Sequence, residues 1–190
     1  MEASTMRLAR RLAFILMLCP MAAGAGAWNY RLGEDAPQFA LKGLDGKPLS
    51  SADLRGHYTV MSFMTSWCPF CNAAVPNLDK IAREYAARGV KTVIVDVAEE
   101  RPPIEAFAKK YALSCPVLLD GDGKVTVSYA PPPDFVPDLK RTDVMIASFL
   151  IVDPQGKIRF LSLNEDTAKF DAKLTKLHAR LDELLAPAKM

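Results

Sequence analysis

The chain has 190 residues, half of them apolar, with 24 Lys and Arg against 22 Asp and Glu. That length suits one folded domain with its own core, and so even a charge balance gives no argument for nucleic acid as a partner. Four cysteines and two histidines are too few and too scattered for a metal hydrolase.

Arg7, Arg10 and Arg11 precede an uncharged, mostly apolar run from Leu12 to Ala27, which closes on Ala25-Gly26-Ala27. Basic, apolar, then small is the order of a secretory signal, and it predicts cleavage after Ala27 with residues 28–190 left as the mature domain. Only Leu12 to Leu18 is strongly apolar before Pro20, short of the roughly 20 residues of a membrane span. An uncleaved leader holding the chain to the inner membrane is the alternative. Leu18 argues against lipidation of Cys19, Ala13 against a twin-arginine signal, and Met6 offers a second start. Without residues 1–27 the chain carries 21 basic and 21 acidic residues. Export places it in the periplasm, where disulfides persist. A reactive thiol pair there requires a membrane thiol donor or oxidant.

Ala36 to Ser50 mixes extended residues with Gly43, Asp45-Gly46 and Pro48, which predicts a short hairpin. Asp53 to Gly56 turns into an apolar strand, Tyr58 to Met64. A helix from Pro69 to Arg88 follows, with Val75, Leu78, Ile81, Ala82 and Tyr85 inward. Pro76 is expected to kink it, Gly89 to end it, and Asp79 and Arg83 to pair on its wet face. Val90 to Val97 reads as a parallel strand buried on both sides. Pro102-Pro103 opens a helix with Ile104, Phe107, Ala108 and Tyr111 inward. Pro116 to Leu119 is a short strand. Ala130 to Asp143, with four prolines and five charges, is expected to be an exposed ordered loop. Ala147 to Val152 and Lys157 to Ser162 form a hairpin around Asp153-Pro154-Gln155-Gly156. Asp166 or Thr167 caps a last helix bearing Phe170, Leu174, Leu177, Leu181 and Leu184. The order gives an α/β sandwich.

The chemistry lies in Trp67-Cys68-Pro69-Phe70-Cys71, where strand becomes helix. The first N–H groups of a helix lack internal partners, and its dipole is positive at that end. A thiolate at Cys68 is stabilised there, so its pKa falls from about 8.5. Cys71, one turn along, can attack a mixed disulfide formed at Cys68. These are the requirements of thiol–disulfide exchange through a redox-active Cys68–Cys71 pair. A zinc half-site needs two more ligands, and Cys19, Cys115, His57 and His178 supply no second pair. A structural disulfide closing so small a loop adds little to a domain with a core. No metal or cofactor is expected.

The ordered set Ala36-Pro37-Gln38-Phe39-Ala40-Leu41, Leu44-Asp45-Gly46-Lys47, the cysteine motif, Pro76, Val90 to Val97 and Asp153-Pro154-Gln155-Gly156-Lys157 resembles the TlpA/ResA-like branch of the redoxin, AhpC/TSA group. The likeness covers residues 34–185. It implies a thioredoxin fold: a central mixed β-sheet flanked by helices, with an N-terminal β-hairpin extension. It further implies a monomeric oxidoreductase acting on cysteines of other exported proteins, with cytochrome c maturation and copper-centre assembly as client pathways. Cys68 is then the exposed nucleophile and Cys71 the buried resolving thiol. Trp67, Pro69, Phe70, Thr65, Ile146 and Ala147 are their neighbours.

Three positions depart from that pattern. Ala74 stands where the branch often carries a Glu, and Ser62 where thioredoxins bury an Asp. Proton transfer at Cys71 is therefore expected to run through water, or exchange to be slower. Ala147 occupies the slot of the family's cis-proline, which opens the face over the sulfurs. Such a face suits another substrate or a soft ion such as Cu(I), with Met145 as a thioether neighbour or simply a packing residue. Two further readings follow: a copper-binding, metallochaperone-like module, and a thiol peroxidase built on Thr65-x-x-Cys68. Against the first stand the close cysteine spacing and the missing His; against the second, Met61 and Ala147 in place of Pro and Arg. The Pro-rich loop is expected to shape partner recognition, and Cys115 to be an inert buried thiol.

Overall fold

The computed structural model describes residues 31–163 and 167–187. The leader with its arginines, Cys19, and the expected cap Asp166 lie outside the described residues. Seven strands make one mixed sheet: β1 (Ala40–Gly43), β2 (Pro48–Ser50), β3 (Thr59–Met64), β4 (Lys91–Val97), β5 (Val117–Asp120), β6 (Ser148–Val152) and β7 (Ile158–Ser162). Their spatial order is β2-β1-β5-β4-β3-β6-β7. The centre, β3, β4 and β5, is parallel, and β6–β7 and β1–β2 extend it as antiparallel hairpins on either side. Helices α1 (Pro69–Ala86) and α2 (Arg101–Lys110) cross between the parallel strands, followed by α3 (Lys124–Tyr129) and α4 (Thr175–Leu185). Among the described residues no helix is long and apolar enough to cross a membrane.

The sheet divides the apolar residues into two cores. One face carries Val60, Met64 and Ile94 against Val75, Leu78 and Ile81 of α1 and Leu177 and Leu181 of α4, and this layer includes both motif cysteines. The other carries Met61, Phe63, Val93 and Val95 with Tyr129 and Met145. Alternation along β3 and β4 puts successive residues on opposite faces, which is why both strands are apolar throughout. At its end α1 donates Gly89 N–H to Ala86 and Val90 N–H to Tyr85, the Schellman pattern that needs the left-handed φ of +77° at Gly89.

Three expectations change. The last helix begins at Thr175, later than its apolar spacing predicts. Leu174 has φ +55°, and Asp171 accepts the Lys176 N–H at 3.0 Å, so the helix starts there. Phe170 lies in the preceding segment, its ring 5.1 Å from Phe70 and 6.4 Å from Phe149. Secondly, α3 occupies a β-branched stretch to which the sequence assigned no element. The carboxylate of Asp120 accepts Val125 N–H, Thr126 N–H and the Thr126 hydroxyl at 2.6 to 3.2 Å, which fixes its first turn. Thirdly, Asp79 is buried rather than on the wet face. It accepts Arg83 as expected, and also the Ser114 N–H and hydroxyl, each at 2.7 Å.

Candidate active site

After β3 a turn at Ser66 and Trp67, closed by the Cys68 N–H on the Thr65 carbonyl, leads through extended backbone at Cys68 to helix at Pro69, whose missing N–H and fixed φ suit the first helical position. Cys68 is thereby the N-cap of α1. Its sulfur accepts the Cys71 N–H at 3.2 Å, so a thiol does what a Ser or Asp oxygen does in other caps. Cys68 is only 3% exposed, not the open nucleophile the family resemblance implies, because its sulfur turns inward over the helix end. Trp67, 66% exposed, and Pro69 form the open rim beside it.

Cys71 is wholly buried under this cap. The two thiols are driven apart in acidity. The Cys71 thiol, first among the causes, together with the Cys71 and Phe70 peptide N–H groups, lowers Cys68 to about 6, against an opposing push from burial. Burial first, then the neighbouring Cys68 sulfur, push Cys71 far up, although the backbone of Thr65 and Ala147 favours its charge. One thiol is mostly ionised at neutral pH, and the other keeps its proton.

The remaining neighbours close the site. Ala147, which the resemblance assigns to the family's proline slot, is 1% exposed with φ +65° just before β6, and its N–H donates to the Phe63 carbonyl at 2.9 Å. Ile146 is half-buried and packs on both cores. Phe70 stacks edge-on against Phe170. Thr65 is buried, and its hydroxyl meets no hydrogen-bond partner among the described residues. Asn72 ties the motif together: its amide N donates to the Ser66 and Cys68 carbonyls, and its oxygen accepts Tyr111 hydroxyl at 2.8 Å.

Ser62 and Ala74 are both fully buried at the places named from the sequence, so neither slot holds an acid, and Ser62 instead donates to the Ser148 carbonyl. The acid near the site comes from another strand. Asp96 interrupts the apolar run of β4, and Glu99 on the following turn accepts the Ser66 N–H and hydroxyl. Sequence reasoning treated that run as a plain core strand. Its one charged residue among Val-Ile-Val-Asp-Val was the available signal.

The comparisons agree with this geometry. A match to the AhpC/TSA family spans residues 32–161. The chain belongs to the AhpC/TSA family. The thiol–disulfide oxidoreductase ResA of Bacillus subtilis is 28% identical over 134 residues, 70% of this chain and 68% of that one. The ResA of Bacillus cereus is 28% identical over 137 residues, 72% of each chain. Among solved structures, a secreted Mycobacterium tuberculosis disulfide oxidoreductase homologous to Escherichia coli DsbE superposes with TM-score 0.61 at 27% identity. It covers 77% of this chain and 96% of its own. The fold is therefore that of thioredoxin, and the chain is an enzyme of the thiol–disulfide oxidoreductase class.

Other candidates lie apart from the cysteines. Met145 is fully buried in the opposite core layer. His57 donates to the Gly89 carbonyl, and His178 stacks on Tyr85 beside Asp182. Cys115 is half-buried, and burial, with Asp79 second, pushes its thiol up to about 12.

Proposed function

We propose that Cys68 and Cys71 exchange disulfides with cysteines of exported partner proteins. The observation that carries this reading is the Cys71 N–H donated to Cys68 Sγ above a buried Cys71 thiol. The Cys68 thiolate attacks a partner disulfide, forming a mixed disulfide and releasing one partner thiolate. Cys71 then gives up its proton to solvent and attacks Cys68 Sγ. The Cys68–Cys71 disulfide forms, the second partner thiolate leaves, and two electrons have passed to the partner. The same steps reversed oxidise a partner dithiol, and a membrane thiol donor or oxidant resets the pair.

A periplasmic location follows from the leader of residues 1–27, with 28–190 as the mature thioredoxin-like domain. Its clients are apocytochrome c or copper-site cysteines, the thiols that exported pathways need reduced before metal or haem is added. The exposed segment from Pro132 to Lys140, including Phe135 and Leu139, supplies the recognition surface.

The test is Cys71→Ser in the native host. With no resolving thiol, Cys68 stalls as a covalent mixed disulfide, resolved on a non-reducing gel and identified by mass. Failure to trap any cysteine protein, together with no exchange by the wild type in vitro, sinks the reading.

A further inference from the structure

Strand β4 carries a carboxyl where its neighbours carry hydrocarbon. Asp96 is wholly buried, no donor among the described residues meets either oxygen in ordinary hydrogen-bond geometry while both carboxyls are ionised, and the hydrogen-bonding group beside it is Glu99. It stands across from Met64 in parallel register and two residues beyond Ile94, so it points into the layer that holds both cysteines. The acidic groups near it are Glu99 on the turn after β4 and, on the opposite face of the sheet, Asp120 at the end of β5, whose carboxylate is held by Val125 and Thr126. From β3 and α1 the same layer presents Met64 and the thiols of Cys68 and Cys71. Glu99 is half-buried beside the wholly buried Asp96, two ionised carboxylates so placed repel, and the buried one is costly to charge without a cation. A proton on Asp96, donated toward Glu99, removes both penalties. Burial first, and Glu99 second, push Asp96 up to about 8.

Glu99 in turn holds the chain ahead of the motif. It accepts the Ser66 N–H at 2.5 Å and the Ser66 hydroxyl at 2.7 Å. The Ser66 carbonyl accepts the Asn72 amide at 2.9 Å, and that amide also donates to the Cys68 carbonyl at 2.8 Å. Residues on both sides of the cysteine pair thus hang on one carboxylate.

We propose that Asp96 and Glu99 share one proton and act as the positioning pair of the Ser66 turn, seating Cys68 for attack only while that proton is held. The proposal rests on Cys68 being the attacking thiol. When the shared proton leaves to solvent, two like charges face each other. Glu99 swings away from Asp96, and Ser66 loses its fixed acceptor.

Asp96→Asn keeps a neutral donor toward Glu99 that cannot ionise, whereas Glu99→Gln keeps an acceptor for Ser66 without charge. Two measurements serve: the rate of iodoacetamide alkylation of Cys68 in the reduced protein across pH, and carbon-13 titration of the Asp side chains. In the wild type the rate climbs with Cys68 ionisation, then falls by about twofold or more as the pair ionises. One Asp carboxyl titrates far above the ordinary value of about 4. Asp96→Asn abolishes the alkaline fall and that resonance; Glu99→Gln abolishes the fall and moves the resonance down. An alkaline fall that survives in either variant, or no high-titrating Asp in the wild type, overturns the proposal. The Glu99→Gln arm decides alone if Asp96→Asn does not fold. Absence of any selective Cys68 alkylation at neutral pH overturns instead the exchange reading itself.

Discussion

The peptide N–H of Cys71 points at the sulfur of Cys68 from 3.2 Å. In the proposed exchange, the residue that attacks Cys68 and expels the partner thiolate from the mixed disulfide is therefore also the one that makes Cys68 reactive. Backbone and thiol of Cys71 both act on the Cys68 sulfur, and the thiol is the larger cause of its lowered pKa, about 6.

Removing that thiol should therefore weaken the nucleophile. In Cys71→Ala the half-point of Cys68 alkylation moves upward from about 6 toward the ordinary 9.0, with the N-cap backbone bond retained. Cys71→Ser keeps an O–H donor and shifts less. The pH profile of the alkylation rate checks this, and equal profiles for wild type and Cys71→Ala refute the assignment.

Much of this site is legible in the sequence. The spacing Cys68-Pro69-Phe70-Cys71 at a strand–helix junction fixes the cap, because Pro can start a helix but not continue a strand. Counting back from Asp153 located Ala147, since the β6–β7 turn fixes the register of the strand before it. What stayed hidden depends on distant residues. Asp79 paired with Arg83 reads as a surface couple until Ser114 arrives from another loop. The start of α4 was displaced because Phe170 stacks on Phe70 and Phe149 rather than continuing a helical stripe. α3 was invisible because Lys-Val-Thr-Val-Ser-Tyr has strand propensity that the Asp120 cap overrides. Asp96 lay in plain view, but nothing local showed that Glu99 would face it.

Stability of the reduced protein should depend on pH through Cys68. Its folded pKa, about 6, lies below the 9.0 of the unfolded chain. The folded state then binds fewer protons between those values, so its advantage is complete above 9 and lost as pH falls through 6. Cys71 shifts upward and works against folding only above 9. Asp96, raised from 3.8 to about 8, gives the opposite slope below 8. The comparison must therefore be wild type against Cys68→Ser. Urea unfolding under reducing conditions is expected to show their difference growing from pH 6 to pH 9. A constant difference contradicts the thiolate's role in the fold.

Putting proline at the family's slot should harm this chain. Ala147 sits at φ +65° and donates its N–H to the Phe63 carbonyl. Proline requires φ near −65° and has no N–H. Ala147→Pro loses a buried hydrogen bond, about 1 kcal/mol, and forces a backbone change of similar or larger cost. The expected destabilisation is on the order of 2–3 kcal/mol in denaturant unfolding. A neutral or stabilising result means the loop adopts another conformation than the one described.

Asp79 offers a test far from the sulfurs. Burial alone would raise its pKa, but the Ser114 N–H and hydroxyl and the Arg83 guanidinium outweigh that and hold it below the usual carboxylate range. Asp79→Ala leaves the Ser114 N–H without its acceptor beside Cys115, so a loss of about 2–3 kcal/mol is expected. A depressed carboxylate stabilises the fold above its unfolded pKa of 3.8, and that contribution fades as pH drops through the lower folded value. The wild type should thus lose stability in acid more steeply than Asp79→Asn, which keeps an acceptor for Ser114 but has no charge to titrate. Parallel acid-unfolding curves for the two proteins contradict the ionised pairing of Asp79 with Arg83.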